Sequence, residues 1–227
     1  MDTEQIRDHF RVQASDYPRL MKRLIPFYDE QREMILSLVP FDREASIRVL
    51  DLGCGPGLMA GEILSAYPKA NLTAFDLTAE MLETCRARLG GDERVTYRLS
   101  DFRCDPLGEN YDVIIASLSL HHLQLSERPR FFSRALQSLR AGGILIASEV
   151  IVDETAEVRE QQYALWRRFI AENGEDAAYW YGKHLEKDNP ATISALLEML
   201  QVAGFRQTGC FWRYLNFAIV SGRNAAV

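Results

Sequence analysis

Val49-Leu50-Asp51-Leu52-Gly53-Cys54-Gly55-Pro56-Gly57 joins an apolar run to three alternating glycines. The run reads as a buried parallel strand, and Leu58 to Ala66 reads as a helix. Glycine supplies the unusual backbone angles of such a turn and lets the main chain approach a ligand where no Cβ could fit. In open α/β sheets, nucleotide-like ligands sit where a strand's carboxyl end meets a helix N-terminus. Two phosphate cradles are excluded. The G-x-G-x-x-G fingerprint needs a glycine where the chain has Leu58, and no G-x-x-x-x-G-K-[ST] loop is present.

Outward from this turn, strand-like runs at 47–52, 71–76, 94–99, 111–117 and 143–149 alternate with helical segments at 58–66, 78–89 and 128–140. The last of these sets Phe131, Phe132, Ala135, Leu136 and Leu139 on one face, and Gly142-Gly143 stops it. Regular alternation implies parallel strands joined by right-handed crossovers, hence a doubly wound α/β sheet. Near the end, Asn189-Pro190 reads as a cap with proline at the first helical position, and Gly204 closes a helix over 191–203. Runs 205–212 and 214–221 are joined too tightly for a crossover and must pair as an antiparallel hairpin. The expected fold is a mainly parallel seven-stranded sheet ending in that hairpin. Its parts are a helical cap over 1–45, the core over 46–152, a helical insertion over 153–189, and a closing helix and hairpin over 190–227.

Composition narrows the partners. The chain has 227 residues, 47% hydrophobic, and a net charge of −6, which opposes a broad phosphate-binding surface, so no nucleic-acid partner is expected. Cys54, Cys85, Cys104 and Cys210 form no C-x-x-C pair, so reduced thiols are expected, with neither a disulfide frame nor a metal site. The start lacks a signal-peptide core, and no apolar run approaches the ~18–20 residues that span a bilayer. The expectation is a cytoplasmic protein without a membrane partner.

The form D-L-G-C-G-P-G resembles motif I of the class I S-adenosylmethionine (SAM)-dependent methyltransferases. A Rossmann-like fold with a late antiparallel hairpin agrees with that family and is unusual in a dinucleotide dehydrogenase. SAM presents a ribose diol, an adenine, a sulfonium and an amino-acid tail. Asp76 ends the second strand, where a carboxylate accepts both ribose hydroxyls; it also reads as the cap of the helix near Thr78, and the two roles can coexist. Asp101 follows the third strand and can accept the adenine amino group, with Phe102 covering the ring. Ser117 ends the fourth strand at the same crevice. Met21-Lys22-Arg23-Leu24-Ile25-Pro26-Phe27-Tyr28, with Ala147-Ser148-Glu149, Ala203-Gly204-Phe205 and Leu215-Asn216-Phe217, is similar to the carboxy-SAM synthase branch, whose product serves wobble-uridine modification of tRNA. That resemblance carries cofactor contacts onto Tyr28, Gly53, the pair Asp76 with Leu77, and Asp101 with Phe102; Cys54 and Gly55 of the glycine turn are cofactor candidates beside them. Two departures stand out. Ser117 replaces an asparagine, and the arginine that holds the extra carboxylate in the synthases has no counterpart around Tyr181 to Glu186, where Lys183 lacks the bidentate fork.

The resemblance with its missing arginine implies methyl transfer from plain SAM to a small-molecule acceptor. Carboxy-SAM synthesis from SAM and prephenate is the alternative, and a non-catalytic SAM-binding protein is a third. Methyl transfer is a direct displacement, so a base is required only for a protonated acceptor. His121, next to His122 after the fourth strand, is the catalytic candidate as a substrate contact, while the same residues also read as packing for the next helix. Glu149, Tyr181 and His184 are further candidates for the acceptor side. Related synthases are dimers, which implies a homodimer with Trp166, Trp180 and Tyr181 at the interface.

Overall fold

The computed structural model describes residues 17–225. Helices α1 (Tyr17–Leu24) and α2 (Tyr28–Leu38) precede the alternating core. The core runs β1 (Arg48–Leu52), α3 (Leu58–Ala66), β2 (Asn71–Asp76), α4 (Ala79–Leu89), β3 (Val95–Leu99), β4 (Tyr111–Ser117), a 3₁₀ turn (Leu120–His122), α5 (Arg128–Ser138) and β5 (Leu139–Val150). Two helices follow, α6 (Ala156–Glu172) and α7 (Ala177–Lys187), then α8 (Ile193–Ala203), β6 (Arg206–Tyr214) and β7 (Phe217–Arg223).

The seven strands form one sheet in the order β3-β2-β1-β4-β5-β7-β6, parallel except for β7, which pairs antiparallel with both β5 and β6. The apolar runs explain the double winding. Along β4, Ile114 and Ala116 face a core shared with α5 and α8, whereas Val113 and Ile115 face a second core shared with α2, α3 and α4. Each valine or isoleucine side chain taken from water contributes roughly 1.5–3 kcal/mol. A third cluster lies over the carboxyl edge of the sheet. Leu20, Met21 and Leu24 of α1 pack there on Tyr163, Trp166 and Ile170 of α6 and on Phe217.

Three boundaries differ from expectation. Helix α8 starts at Ile193, capped by Thr192 Oγ1 accepting from the Ala195 amide, and not at Asn189-Pro190. Ala191 instead bridges Ile151 at the end of β5, which keeps residues 189–191 extended. The hairpin turn falls at Leu215-Asn216, because register shifts in β6 consume extra residues before it. Helix α5 ends at Ser138, since Leu139 already pairs with Tyr111.

Candidate active site

The strand order reverses between β1 and β4, and a crevice of about 700 Å³ opens there at the carboxyl ends of the strands. It is lined by Gly53, Gly55, Asp76, Leu77, Asp101, Phe102 and Ser117, so seven of the expected cofactor residues meet in one place. Tyr17, Thr78, Met81, Arg103, Leu118, Ser119, His122 and Leu123 complete its wall. Cys54 is buried beneath the turn and does not line the crevice. Tyr28 is also buried, under the Arg32 guanidinium, and the tyrosine that lines the crevice is Tyr17 of α1. Tyr17 stands in the same aromatic N-terminal stretch, but the resemblance points to Tyr28.

The glycine turn is shaped by what surrounds it. Gly53 adopts φ 69°, and a Cβ there would come within 2.7 Å of the Ser119 Cβ. A Cβ at Gly55 would meet no atom within 4 Å, in keeping with its place on the crevice wall, and its amide donates to Asp76 Oδ2 at 2.8 Å. Asp76 Oδ1 accepts from the Thr78 amide and hydroxyl, both at 3.0 Å. One carboxylate therefore braces the turn, holds Thr78 just ahead of α4 and faces the crevice. Burial pushes its pKa up, opposed by the hydrogen bonds from Thr78 and Gly55.

Asp51 does not line the crevice but lies near enough for its charge to act on Asp76, and sequence reasoning passed over it although it stands inside the deciding stretch. It is 1% exposed, and both carboxylate oxygens lack a hydrogen-bond partner among the described residues. Burial, reinforced by the charge of Asp76, pushes its pKa up to about 7. A pair of buried carboxylates with no paired cation is a poor resting arrangement but suits a ligand that brings positive charge. SAM brings two, a sulfonium and an ammonium. The donor set therefore fits SAM: Asp76 for a diol, Asp51 and Asp76 for its charge, and Phe102 for an aromatic face. Asp101 is gripped by Arg103 through Nε and Nη2, so a ligand amino group would share that carboxylate with a guanidinium.

A second pocket of about 720 Å³ adjoins the crevice. Its apolar wall comes from Met21, Leu24, Ile25, Val150, Trp166, Trp180 and Phe217, and its polar wall from His121, His122, Lys183, His184, Lys187 and Asp188. Tyr17, Leu118 and His122 line both spaces and mark their junction. Leu118 sits at φ 55°, a strained angle for leucine, with its amide held by the Ser148 carbonyl at 2.9 Å.

The structure distributes the chemical candidates unevenly. His121 is buried in the second pocket; burial and the neighbouring His122 push its pKa down to about 3, so it is a neutral imidazole near pH 7. His184 lines the same pocket, its Nδ1 at 2.8 Å from Asp188 Oδ2 and its Nε2 at 3.0 Å from the Tyr163 hydroxyl. Burial alone would raise Asp188, but His121, His122 and His184 outweigh it and hold the carboxyl well below its usual range. Asp188 was invisible as a site residue, because only folding brings the end of α7 to the turn after β4. Glu149 lines neither space. Burial pushes it up to about 8 against the pull of Arg128, and Oε1 accepts from the Leu120 amide at 3.2 Å. Trp166, expected to offer surface to a second copy, is only 6% exposed in the single chain and packs in its core, its Nε1 donating to the Leu24 carbonyl at 2.7 Å.

Residues 49–143 match the family model of the methyltransferase domain. The chain carries a class I SAM-dependent methyltransferase domain. The whole-length likeness is to carboxy-SAM synthases. That of Methylococcus capsulatus (strain ATCC 33009 / NCIMB 11132 / Bath) is 26% identical over 212 residues, 90% of this chain and 88% of the relative. The malonyl-[acyl-carrier protein] O-methyltransferase of Anoxybacillus flavithermus (strain DSM 21510 / WK1) is 31% identical over 123 residues, 54% of this chain and 44% of the relative. Among solved structures, the DhpI–SAH complex aligns with a TM-score of 0.68 at 17% identity, covering 98% of this chain and 97% of that one. Human N-acetylserotonin methyltransferase in complex with SAM aligns with a TM-score of 0.63 at 22% identity, covering 95% of this methyltransferase. This chain spans only 58% of that longer protein. These likenesses establish the fold, and the domain establishes a SAM-dependent enzyme.

Proposed function

We propose that this methyltransferase moves the methyl group of SAM to a small, largely apolar acceptor seated in the second pocket. The observation that carries this reading is the junction at Tyr17, Leu118 and His122, where a space suited to SAM meets a space walled by Trp166, Trp180 and Phe217. When bound, SAM supplies the electrophilic methyl carbon. Asp76 and Asp101 hold the cofactor, Leu118 separates the two spaces, and the aromatic wall excludes water from the line of attack. His121 and His122 line the pocket on the side where the acceptor's reacting group sits.

Carboxy-SAM synthesis is the second reading, favoured by a likeness to synthases that runs along 90% of the chain. Lys183 and Lys187 are then the cations available to a carboxylate in the second pocket. Mass spectrometry of the ligand released from purified protein separates the two. SAM or S-adenosylhomocysteine is expected, and a ligand heavier than SAM by one carboxylate would overturn methyl transfer. A cytoplasmic homodimer completes the reading. No helix among the described residues is long and apolar enough to cross a membrane. Leu165, Tyr179 and Leu185 expose apolar surface on α6 and α7 for a second copy. Sedimentation at micromolar concentration should give the dimer mass.

A further inference from the structure

The sequence has no spacing that announces a metal, yet the fold brings three ligand residues to one point beside the acceptor pocket. His121 and His122 stand on the 3₁₀ turn after β4, and Asp188 follows the last residue of α7. Nδ1 of His122 lies 3.3 Å, and Nε2 of His121 3.8 Å, from the same oxygen, Asp188 Oδ1. One ligand atom from each of the three residues falls within 4.8 Å of the others. A metal about 2.0–2.2 Å from nitrogen and oxygen ligands holds neighbouring donors about 3.0–3.8 Å apart at ordinary coordination angles. Two of the three separations already meet that requirement, and the third needs at most a small closing movement.

Hydrogen bonding alone explains the cluster poorly. The 3.8 Å separation is too long for a hydrogen bond. Nδ1 of His121 is buried with no partner among the described residues, on a side chain only 6% exposed. Nε2, the nitrogen that faces Asp188, has no hydrogen bond at 3.8 Å either, which leaves its lone pair open to a ligand. Around it, the supports are firm. His184 Nδ1 fixes the other oxygen of Asp188 at 2.8 Å and is itself held by the Tyr163 hydroxyl at 3.0 Å. The Asn189 amide donates to the His121 carbonyl at 2.7 Å, and Arg128 Nη2 donates to the Asn189 carbonyl. Second-layer contacts of this kind orient metal ligands.

We propose that His121, His122 and Asp188 bind a divalent first-row transition ion of the zinc, iron(II) or cobalt(II) class. Two imidazoles and one carboxylate suit these borderline ions, whereas magnesium and calcium prefer an all-oxygen shell. Three protein ligands leave a coordination position for the contents of the second pocket, which all three residues line. The assignment does not depend on which acceptor is used.

Cobalt(II) is the probe. Full-length protein stripped with a chelator should take up one equivalent of cobalt(II) with visible d–d absorption. His121→Gln and Asp188→Asn should each weaken that binding at least tenfold, while SAM affinity in the same samples reports an intact fold. X-ray absorption at the cobalt edge of the wild-type protein gives a readout independent of any variant, and two imidazoles with oxygen are expected. Absence of stoichiometric uptake, unchanged affinity in folded variants, or a sulfur or all-oxygen shell would each overturn the proposal.

Discussion

Asp51 concentrates the electrostatic problem of the cofactor site in one residue. With its carboxyl pushed up to about 7 by burial and by Asp76, the group is partly protonated at neutral pH before any ligand arrives. A bound sulfonium and ammonium favour the ionised form, so SAM binding and loss of the Asp51 proton are linked. SAM affinity should therefore weaken as pH falls below about 7. Asp51→Asn should flatten that dependence and raise the dissociation constant about 10–100-fold, equivalent to about 1.4–3 kcal/mol. Calorimetric titration between pH 6 and 8 checks both expectations; a pH profile identical to wild type would remove Asp51 from the account. Asp76→Ala should cost a similar amount, and it should also loosen the turn, because the Gly55 amide and Thr78 lose their acceptor. These residues differ in how legible they are. Asp76 is readable from its place at a strand end after a glycine turn. Asp51 occupies an inward position of β1 where an aliphatic residue is expected, and its meaning appears only once both oxygens are seen to be without partners among the described residues.

At the scale of elements, α1 and α6 together form the roof over the acceptor space. Trp166 ties them, with its indole N–H on the Leu24 carbonyl and its ring edge-on to Phe217 and His184 at 5.7 and 5.3 Å. Trp166→Phe keeps most of the apolar surface and strands the buried carbonyl, a loss of about 1–3 kcal/mol in unfolding by denaturant. Binding of SAM itself should change little, because Trp166 does not line the cofactor crevice; a large loss of SAM affinity would mean that the roof shapes both spaces. The elements themselves were readable where a run is apolar on both faces, as in β4 and the Ile144-Leu145-Ile146 part of β5, or where a stop such as Gly204 closes a helix. They were misread where tertiary contacts took over the backbone. Asn189 and Ala191 are spent on the His121 carbonyl and on the bridge to Ile151, so the helix waits for Thr192.

For the whole molecule, the buried titratable groups set opposite trends with pH. Glu149, pushed up to about 8 by burial, and Asp51, pushed up to about 7, bind protons more tightly in the folded chain than in the unfolded one. Their contribution is fully present below the ordinary carboxyl range and is lost as pH rises through those values. His121, pushed down to about 3, acts in the other direction: the unfolded chain takes up its proton first, so stability is lost as pH falls from about 6.5 towards 3. Above about pH 6.5 the histidine no longer contributes, and the carboxyls alone drive stability down until about pH 8. Each proton held only by the folded state contributes a slope of at most about 1.4 kcal/mol per pH unit. Glu149→Gln retains an acceptor for the Leu120 amide and removes that ionisation, so its unfolding free energy should fall less steeply between pH 6.5 and 8 than that of the wild type. Denaturant unfolding across this range, without SAM, measures the two slopes. Equal slopes would mean that Glu149 is already ionised in the fold, held so by the buried Arg128 guanidinium.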